Sequence, residues 1–312
     1  MVNVQSAPKQ GFFKRLAKNY RQMKLVYWLA VPVLLYYFVF KYAPMFGVTI
    51  AFQDYRAARG IMNSKWVGFK HFLSFFNSIY AWRLIRNTVV ISVYSILFGF
   101  PAPILLALLI NEIKHSQFKS VVQTISYMPH FISTVVICGV LVDFLASDGV
   151  ITDLLVTLGG TRTNLLAEAG AFRTIYVGSS VWQSVGWGSI IYLATLSGTD
   201  PNLYEAAVID GAGRFRQAVH ITLPTLVPLI VLQLIMRMGN IMSVGYEKII
   251  LLYSGLTYDT ADVISSYVYR RGLQQGEYSF GAAVGLFNSV INLCLLVLSN
   301  WIAKTTTGES MW

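Results

Sequence analysis

Six long apolar runs, separated by shorter polar segments, set the pattern of this chain. They cover residues 25–40, 88–110, 121–142, 174–197, 223–241 and 279–303, and the first continues to residue 52 if Lys41 snorkels to a membrane interface. An α-helix rises about 1.5 Å per residue, so about 20 apolar residues cross a hydrocarbon core of roughly 30 Å. The runs do not alternate between apolar and polar positions, which favours helices over a β-barrel. The pattern therefore predicts an all-α membrane protein with six transmembrane helices.

Several of these predicted helices contain proline. Pro101 and Pro103 lie in the second run, Pro129 in the third and Pro228 in the fifth. A proline inside a helix removes a backbone hydrogen bond and bends the helix. The bends either serve bundle packing or open an inner cavity and act as hinges, and the sequence leaves both open.

Composition supports the membrane assignment. The 312 residues are 55% hydrophobic and only 12% charged, whereas a soluble domain is about 25% charged. The first apolar run is followed by Lys41-Tyr42-Ala43-Pro44 without a small-x-small cleavage site, so we interpret it as an uncleaved anchor.

The net charge of +10 does not indicate a nucleic-acid partner, because no basic stripe exists outside the N-terminus. Before the first run stand Lys9, Lys14, Arg15, Lys18, Arg21 and Lys24. Such a cluster is typical of a cytoplasmic segment held against anionic membrane lipid. We therefore expect a basic cytoplasmic segment at 1–24, a transmembrane domain at 25–303 and a cytoplasmic tail at 304–312, with both termini inside.

No catalytic or metal-binding constellation is present in the sequence. The four histidines are scattered, and both cysteines, Cys138 and Cys294, fall inside apolar runs. A phosphate-binding Gly-Lys-Ser/Thr loop is absent, so this chain does not hydrolyse ATP by that route. We expect a non-enzymatic membrane subunit that needs no cofactor of its own and receives its energy from a partner.

The most informative segment is the polar stretch at residues 198–222, between the fourth and fifth runs. Asp200 is a good N-cap and Pro201 suits a first helical position, so a helix is predicted over 201–209. Gly211 and Gly213 provide a turn.

A second short helix is predicted after this turn, over residues 214–220. The fifth crossing would then begin at Thr222-Leu223-Pro224. An ordinary solvated loop has a similar composition, so composition alone does not assign this segment a function.

The full spacing is more specific. Glu205-Ala206-Ala207, then Gly211, then Ile221-Thr222-Leu223-Pro224 resembles the cytoplasmic coupling loop of binding-protein-dependent ABC importer permeases. The resemblance implies that this loop docks in a cleft of an ATPase subunit, with Glu205 paired to a basic residue there and Gly211 permitting the turn. The family often has an aromatic residue at the place of Ala218, which fills a pocket of the ATPase subunit. In this chain Phe215 would fill that pocket instead. The implied ATPase-coupling residues are Glu205, Ala206, Ala207, Asp210, Gly211, Ala212, Arg214, Phe215, Leu223 and Pro224.

Motifs elsewhere resemble a carbohydrate-uptake subfamily of these permeases. They lie at residues 87–112, 127–133, 245–249, 261–273 and 282–289. The resemblance implies a type I ABC importer permease fold in the cytoplasmic (inner) membrane. It also implies as partners a second, homologous permease subunit, two ATP-binding cassette subunits that bind ATP and Mg, and an extracytoplasmic solute-binding protein. The tyrosine-rich outer segment 242–278 is then a candidate docking surface for that protein.

Polar groups inside a membrane are candidates for function because burying them is costly. Candidates for the substrate pathway are Trp182, Gln183, Trp187, Arg237, Asn240 and Asn288. Aromatic rings stack on sugar faces and amides bond hydroxyls, but helix packing explains the same residues equally well. Basic residues predicted at the outer face either favour uronates or contact the binding protein or lipid; they are Arg162, Arg173, Arg270 and Arg271.

The resulting hypothesis is a permease subunit of an ATP-driven ABC importer that moves an oligosaccharide by alternating access, with uronic-acid-containing fragments of alginate or pectin among the candidates. The alternative is a permease of the same machinery for a non-sugar solute. A membrane-embedded enzyme or sensor would need an acid/base cluster or a signalling domain, and the sequence has neither.

Overall fold

The structure, a computed structural model, describes residues 12–312, with side chains from residue 23 onward. Residues 1–11 of the predicted basic segment, and its basic side chains before Lys24, lie outside the described residues. Helices dominate the described part. They are α1 (Phe12–Tyr37), α2 (Ala43–Met45), α3 (Lys70–Phe76), α4 (Ala81–Gly99), α5 (Pro101–Asn111), α6 (Ser116–Tyr127), α7 (Thr134–Leu145), α8 (Val150–Thr157), α9 (Ala169–Leu196), α10 (Pro201–Ile209), α11 (Arg214–Gln217), α12 (Leu223–Met238), α13 (Tyr246–Leu252), α14 (Tyr258–Ala261), α15 (Ile264–Val268) and α16 (Tyr278–Thr306).

Five helical segments in the described part are long and apolar enough to cross a membrane. They are Met23–Phe52, Ala81–Asn111, Thr134–Thr157, Arg214–Met238 and Tyr278–Thr306. Helix α9, at 28 residues, has the length of a crossing, but its many glycines, serines and threonines make it less apolar.

The first of these segments stands apart from the bundle. Its most apolar stretch has no buried residue, and only its last part, the 3₁₀-helical Phe46–Phe52, packs on α16. A small antiparallel hairpin follows, in which Gln53–Asp54 (β1) pairs with Lys65–Trp66 (β2). This hairpin is the one departure from helical structure within residues 12–312 that the all-α prediction missed.

Helix α9 is the central element and packs against α4, α5, α6 and α12. A Cβ atom at Gly186 would collide with the backbone carbonyl of Ser126, so glycine is required for the contact with α6. Around α9 lie two apolar clusters. One joins α4, α7, α9 and α13 through residues that include Ile91, Phe172 and Ile249, and the other joins α5, α9 and α12.

The predicted third crossing over 121–142, with Pro129 inside it, has the wrong bounds. Helix α6 ends at Tyr127, a 3₁₀ turn follows over Met128–Phe131, and the next two residues are extended. Pro129 supplies no N–H to continue an α-helix through this point. Ser133 then caps α7 by accepting a hydrogen bond from the Val136 N–H at 3.3 Å. The membrane-length segment therefore begins at Thr134 rather than near Val121.

The segment 242–278, predicted to be an outer loop with a docking surface, is more ordered than a simple loop. It folds into α13, α14 and α15, and its residues Ile249, Val263 and Ile264 are fully buried. Apolar side chains at these positions pack on α4, α7 and α16. Of its tyrosines, Tyr267 packs in the core and is unavailable to a docking partner, whereas Tyr246 is exposed.

Candidate coupling loop and transport cavities

The loop after α9 begins as the sequence predicts. The Asp200 side chain accepts a hydrogen bond from the Asn202 N–H at 3.0 Å, and Pro201 occupies the first turn. Helix α10 spans Pro201–Ile209, which confirms the predicted helix. Gly211 then adopts φ +75°, a left-handed conformation that costs little only for glycine.

The second half of the loop differs from the prediction. No separate helix exists over 214–220, because α11 continues through the π-helical Ala218–Thr222 into α12. The Leu223 N–H bonds back to the Ala218 carbonyl. This wider turn lets the helix pass Pro224, which has no N–H to donate. One continuous helix, Arg214–Met238, therefore connects the loop to the membrane interior.

Internal hydrogen bonds fix the shape of the loop. The Tyr204 hydroxyl lies 3.0 Å from the Thr222 hydroxyl, and the Gln217 amide donates to the Ala212 carbonyl at 2.8 Å. These bonds tie α10 and the turn to the base of the long helix. We call the segment 200–217 the coupling knob.

The coupling knob exposes large apolar side chains to solvent. Ile209 is 85% exposed and Phe215 is 84% exposed, and Leu203 and Val208 are also exposed. The charged residues Glu205, Asp210 and Arg214 are exposed and form no ion pair among the described residues. A loop that is fixed by internal hydrogen bonds and exposes apolar side chains beside unpaired charges is typical of a docking surface rather than of an ordinary solvent-exposed loop.

Three cavities lie between the helices near the predicted pathway residues. The first, of about 330 Å³, lies between α5, α9 and α12 and contains Trp187, Tyr192, Gln233 and Arg237. The Trp187 ring stacks on His130 with centroids 4.6 Å apart and an interplanar angle of 3°. The His130 ring thus covers one face of the Trp187 ring, while the tryptophan side chain remains half exposed.

The second cavity, of about 220 Å³, lies between α4, α9 and the residues after α12. Arg237 lines it as well, together with Asn240 and the hydroxyl-bearing Ser92, Ser95 and Ser180. The Asn240 amide donates to the Met236 carbonyl at 3.1 Å, which leaves its carbonyl oxygen available.

The third cavity, of about 480 Å³, lies between α15, α16 and the residues after α12. It contains Asn288, whose Oδ1 atom is buried without a hydrogen-bond partner. Tyr246 and Tyr269 also line it and stack with ring centroids 5.1 Å apart. The unpartnered amide oxygen needs a donor, and a sugar hydroxyl is one.

The structure thus separates the six pathway candidates. Trp187, Arg237, Asn240 and Asn288 line these cavities. Trp182 lines none of the three, and Gln183 donates to the Ile132 carbonyl at 3.2 Å, which satisfies a group freed by the break before α7.

Sequence reasoning missed the wall residues Tyr192, Gln233, Tyr246 and Tyr269, and it missed Lys248, which bonds to the wall residue Ser180. Lys248 lies in the motif 245–249, and the available signal was a lysine directly before the apolar run Ile249–Leu252.

A network of charged residues ties the start of α4 to the segment around α14 and α15. Asp262 is fully buried and accepts from both terminal nitrogens of Arg270, at 2.9 and 2.8 Å. Arg83 approaches it at 3.8 Å. Burial lowers the pKa of Arg270, but hydrogen bonds to Asp262 and Tyr253 outweigh burial and raise it, so the guanidinium stays charged.

All four predicted outer basic residues are engaged within the chain. Arg162 pairs with Asp153 and Arg271 with Glu277, while Arg173 donates to Asn87 and Arg270 to Asp262. These contacts give each of them a structural role in this conformation. Their charges therefore provide no argument for a uronate substrate.

Comparison with known proteins agrees with this architecture. The family described as "Binding-protein-dependent transport system inner membrane component" matches residues 99–308. Protein LplB of Bacillus subtilis (strain 168) is 43% identical, covering 93% of this chain and 91% of that protein. The polygalacturonan/rhamnogalacturonan transport system permease protein YteP of the same organism is 42% identical, covering 96% and 94%.

Solved structures give the same result. A chain of a bacterial ABC transporter involved in the import of the acidic polysaccharide alginate is 42% identical with a TM-score of 0.86, covering 94% of this chain and 99% of that one. A chain of the bacterial alginate ABC transporter in complex with alginate pentasaccharide-bound periplasmic protein has a TM-score of 0.87 at 42% identity, covering 95% and 100%. This chain therefore belongs to the family of binding-protein-dependent transport system inner membrane components, as a permease subunit of an ABC importer.

Proposed function

We propose that this permease subunit imports an oligosaccharide that contains uronic acid, driven by ATP hydrolysis in partner subunits. The substrate class is supported by the names of similar proteins, which concern polygalacturonan, rhamnogalacturonan and alginate. The stacked Trp187 and the amide of Gln233 offer an aromatic face and hydrogen bonds to a sugar in the first cavity. A non-sugar solute remains the alternative, and nothing in these cavities favours it.

The proposed assembly follows from the family. Here α9 serves as a further crossing besides the five more apolar segments, which gives six crossings with both termini in the cytoplasm. This subunit pairs with a homologous permease, two ATPase subunits that hold ATP and Mg dock on the cytoplasmic side, and an extracytoplasmic binding protein delivers the substrate. A reporter fused to the C-terminus, active only in the cytoplasm, tests the orientation; an inactive fusion contradicts it.

The observation that carries the proposal is the coupling knob. Its shape is held by internal hydrogen bonds, while Phe215 and Ile209 remain exposed and Glu205 remains unpaired among the described residues. An exposed pair of large apolar side chains beside free charges fits a cleft of matching chemistry on a protein partner. We infer that this partner is the ATPase subunit and that docking transmits its closure to the bundle.

Co-purification tests the docking. Gly211→Val forces a β-branched residue into φ +75°, and Gly60→Val does the same at φ +69° in the first outer loop, far from the knob in sequence. Both substitutions carry similar backbone strain. Of the two glycine variants, we expect only the Gly211 variant to lose co-purifying ATPase subunits or to uncouple their hydrolysis from transport. We also expect Glu205→Ala to reduce both the recovery of the ATPase subunits and the coupling, compared with the control Asp148→Ala. Equal recovery and equal coupling in all variants would refute the assignment of the knob.

A further inference from the structure

The three cavities lie next to one another. Arg237 lines both the first and the second. Ser243, Val244 and Gly245 line both the second and the third. Because each pair of neighbours shares wall residues, the cavities lie side by side, with the second between the first and the third. We call the second cavity the central cavity.

The central cavity has positive charge in and behind its wall. Arg237 lines it directly. Lys248, only 7% exposed, lies behind Ser180 and donates to its hydroxyl at 2.9 Å, with the Tyr176 ring 5.5 Å away. Among the described residues neither cation forms an ion pair, and no aspartate or glutamate lines any of the three cavities.

Lys248 is a buried cation without a counter-charge in the part of the chain that the structure describes and is therefore costly, whereas Arg237 is exposed where it lines the cavity. Removing a charge from water costs several kcal/mol after relaxation, and a hydroxyl and an aromatic ring return only part of that cost. An anion bound in the central cavity would complete the compensation. By contrast, the predicted outer arginines are already bound within the chain; they are Arg162, Arg173, Arg270 and Arg271.

The two flanking cavities have a different chemistry. The first cavity offers Trp187 and Tyr192, and the third offers the stacked pair Tyr246 and Tyr269 with the unpartnered oxygen of Asn288. Aromatic faces and amide groups suit sugar rings and their hydroxyls. A cationic middle between two aromatic ends matches a linear chain of sugars whose middle unit carries a negative charge.

We propose that the central cavity is a carboxylate-binding subsite, in which Arg237 contacts the carboxylate of a uronate unit and Lys248 adds its positive field. The flanking sugar units lie against Trp187 in the first cavity and Tyr246 in the third. This inference rests on the proposed function and deepens it, because it assigns recognition of the acidic group to named residues of this chain.

Thiol labelling of the assembled importer in lipid nanodiscs tests the subsite directly. Ser95→Cys places a reporter in the wall of the central cavity, in a background with Cys138→Ala and Cys294→Ala. We expect trigalacturonate to slow labelling by a small uncharged maleimide, and galactotriose, its neutral counterpart, to have little effect at the same concentration. In Arg237→Gln the trigalacturonate concentration for half-protection rises about tenfold or more, because one charge-assisted hydrogen-bond pair is lost.

Matched variants separate a local contact from a general charge effect. Arg237→Lys keeps the charge and restores part of the protection. Lys248→Met produces a smaller loss of protection by trigalacturonate than Arg237→Gln does. Arg162→Gln removes one positive charge from the surface, where Arg162 is paired with Asp153, and leaves protection unchanged.

Three results overturn the inference. Equal protection by galactotriose shows that charge is not recognised, and unchanged protection in Arg237→Gln shows that Arg237 is not the contact. Labelling that is slow without sugar and accelerated by Arg237→Gln shows that a carboxylate of the partner permease fills the cavity. Uptake of trigalacturonate into liposomes by the unmodified importer is measured separately. If uptake occurs without protection, the subsite is wrong and the proposed function stands, whereas absence of uptake refutes the proposed substrate class.

Discussion

Replacing Asp262 with asparagine is the sharpest test of what holds the segment between α12 and α16 in place. The carboxylate is 0% exposed and accepts from Arg270 at 2.9 and 2.8 Å and from the Ser266 hydroxyl at 2.7 Å. Asparagine has nearly the same shape but no charge. The Arg270 guanidinium would then stay in its setting of tyrosine rings without a counter-charge.

The structure sets the size of the effect. Removing one partner of a buried ion pair costs about 3–5 kcal/mol, because the remaining charge is left uncompensated. Arg83 contributes less to this sum, since it keeps its contact with Asp259 at 3.2 Å. Asp153→Asn is the matched control, because its partner Arg162 and Asp153 itself are each 54% exposed. An exposed pair of that kind contributes about 0–1 kcal/mol.

The assay is the free energy of unfolding in mixed detergent micelles, measured by SDS titration for both variants and the unmodified chain. Hydrogen exchange adds a local reading, and we expect faster exchange between residues 258 and 268 in Asp262→Asn alone. A loss in Asp262→Asn that stays within about 1 kcal/mol of the loss in Asp153→Asn would refute the reasoning. The charged network would then contribute little to stability, and apolar packing would hold the segment in place.

Three further changes give smaller and equally specific results. Gly186→Ala introduces a methyl group into the backbone of α6 and should cost about 1–3 kcal/mol of unfolding free energy, whereas Gly178→Ala on the same helix meets nothing within 4 Å and should be neutral or slightly stabilising; equal effects would contradict the close packing. Asp200→Ala removes the cap of α10 and should cost about 1 kcal/mol of local stability, read as faster hydrogen exchange in that helix; unchanged exchange would show that the cap is dispensable. Asn300→Ala removes the bond that the Met311 N–H makes to Asn300 Oδ1 at 2.8 Å, and the C-terminal tail should become more sensitive to carboxypeptidase; equal digestion would show that the tail is held otherwise.

Local signals made the coupling knob predictable. The cap at Asp200, the proline after it and the glycine at position 211 act within a few residues of one another, and the helix between them was predicted with its correct ends. The continuation of α11 into α12 was not predicted, because a π-helical turn leaves no clear signature in a single sequence.

The interior polar contacts lie beyond the reach of pattern reasoning. Asn87 bonds to the Asp262 carbonyl across 175 positions, and Lys248 bonds to Ser180 across 68. Hydropathy reads such residues as part of an outer loop because they are polar, although the fold buries them. The third crossing failed for a related reason, since hydropathy continues smoothly through Pro129 while the backbone does not.

The unbroken helix Arg214–Met238 also has a mechanical consequence. Its 25 residues make a rod of about 37 Å, with the coupling knob at one end and Arg237 one residue from the other. If ATPase closure tilts the rod by about 10° around the end that carries the coupling knob, simple trigonometry moves the far end by about 6 Å, roughly twice the length of a hydrogen bond. Such a stroke is enough to pull the guanidinium away from a carboxylate. The helix would then act as a lever that couples ATPase closure and release of the substrate in a single movement. It would bend most easily at the turn Ala218–Thr222 and at Pro228.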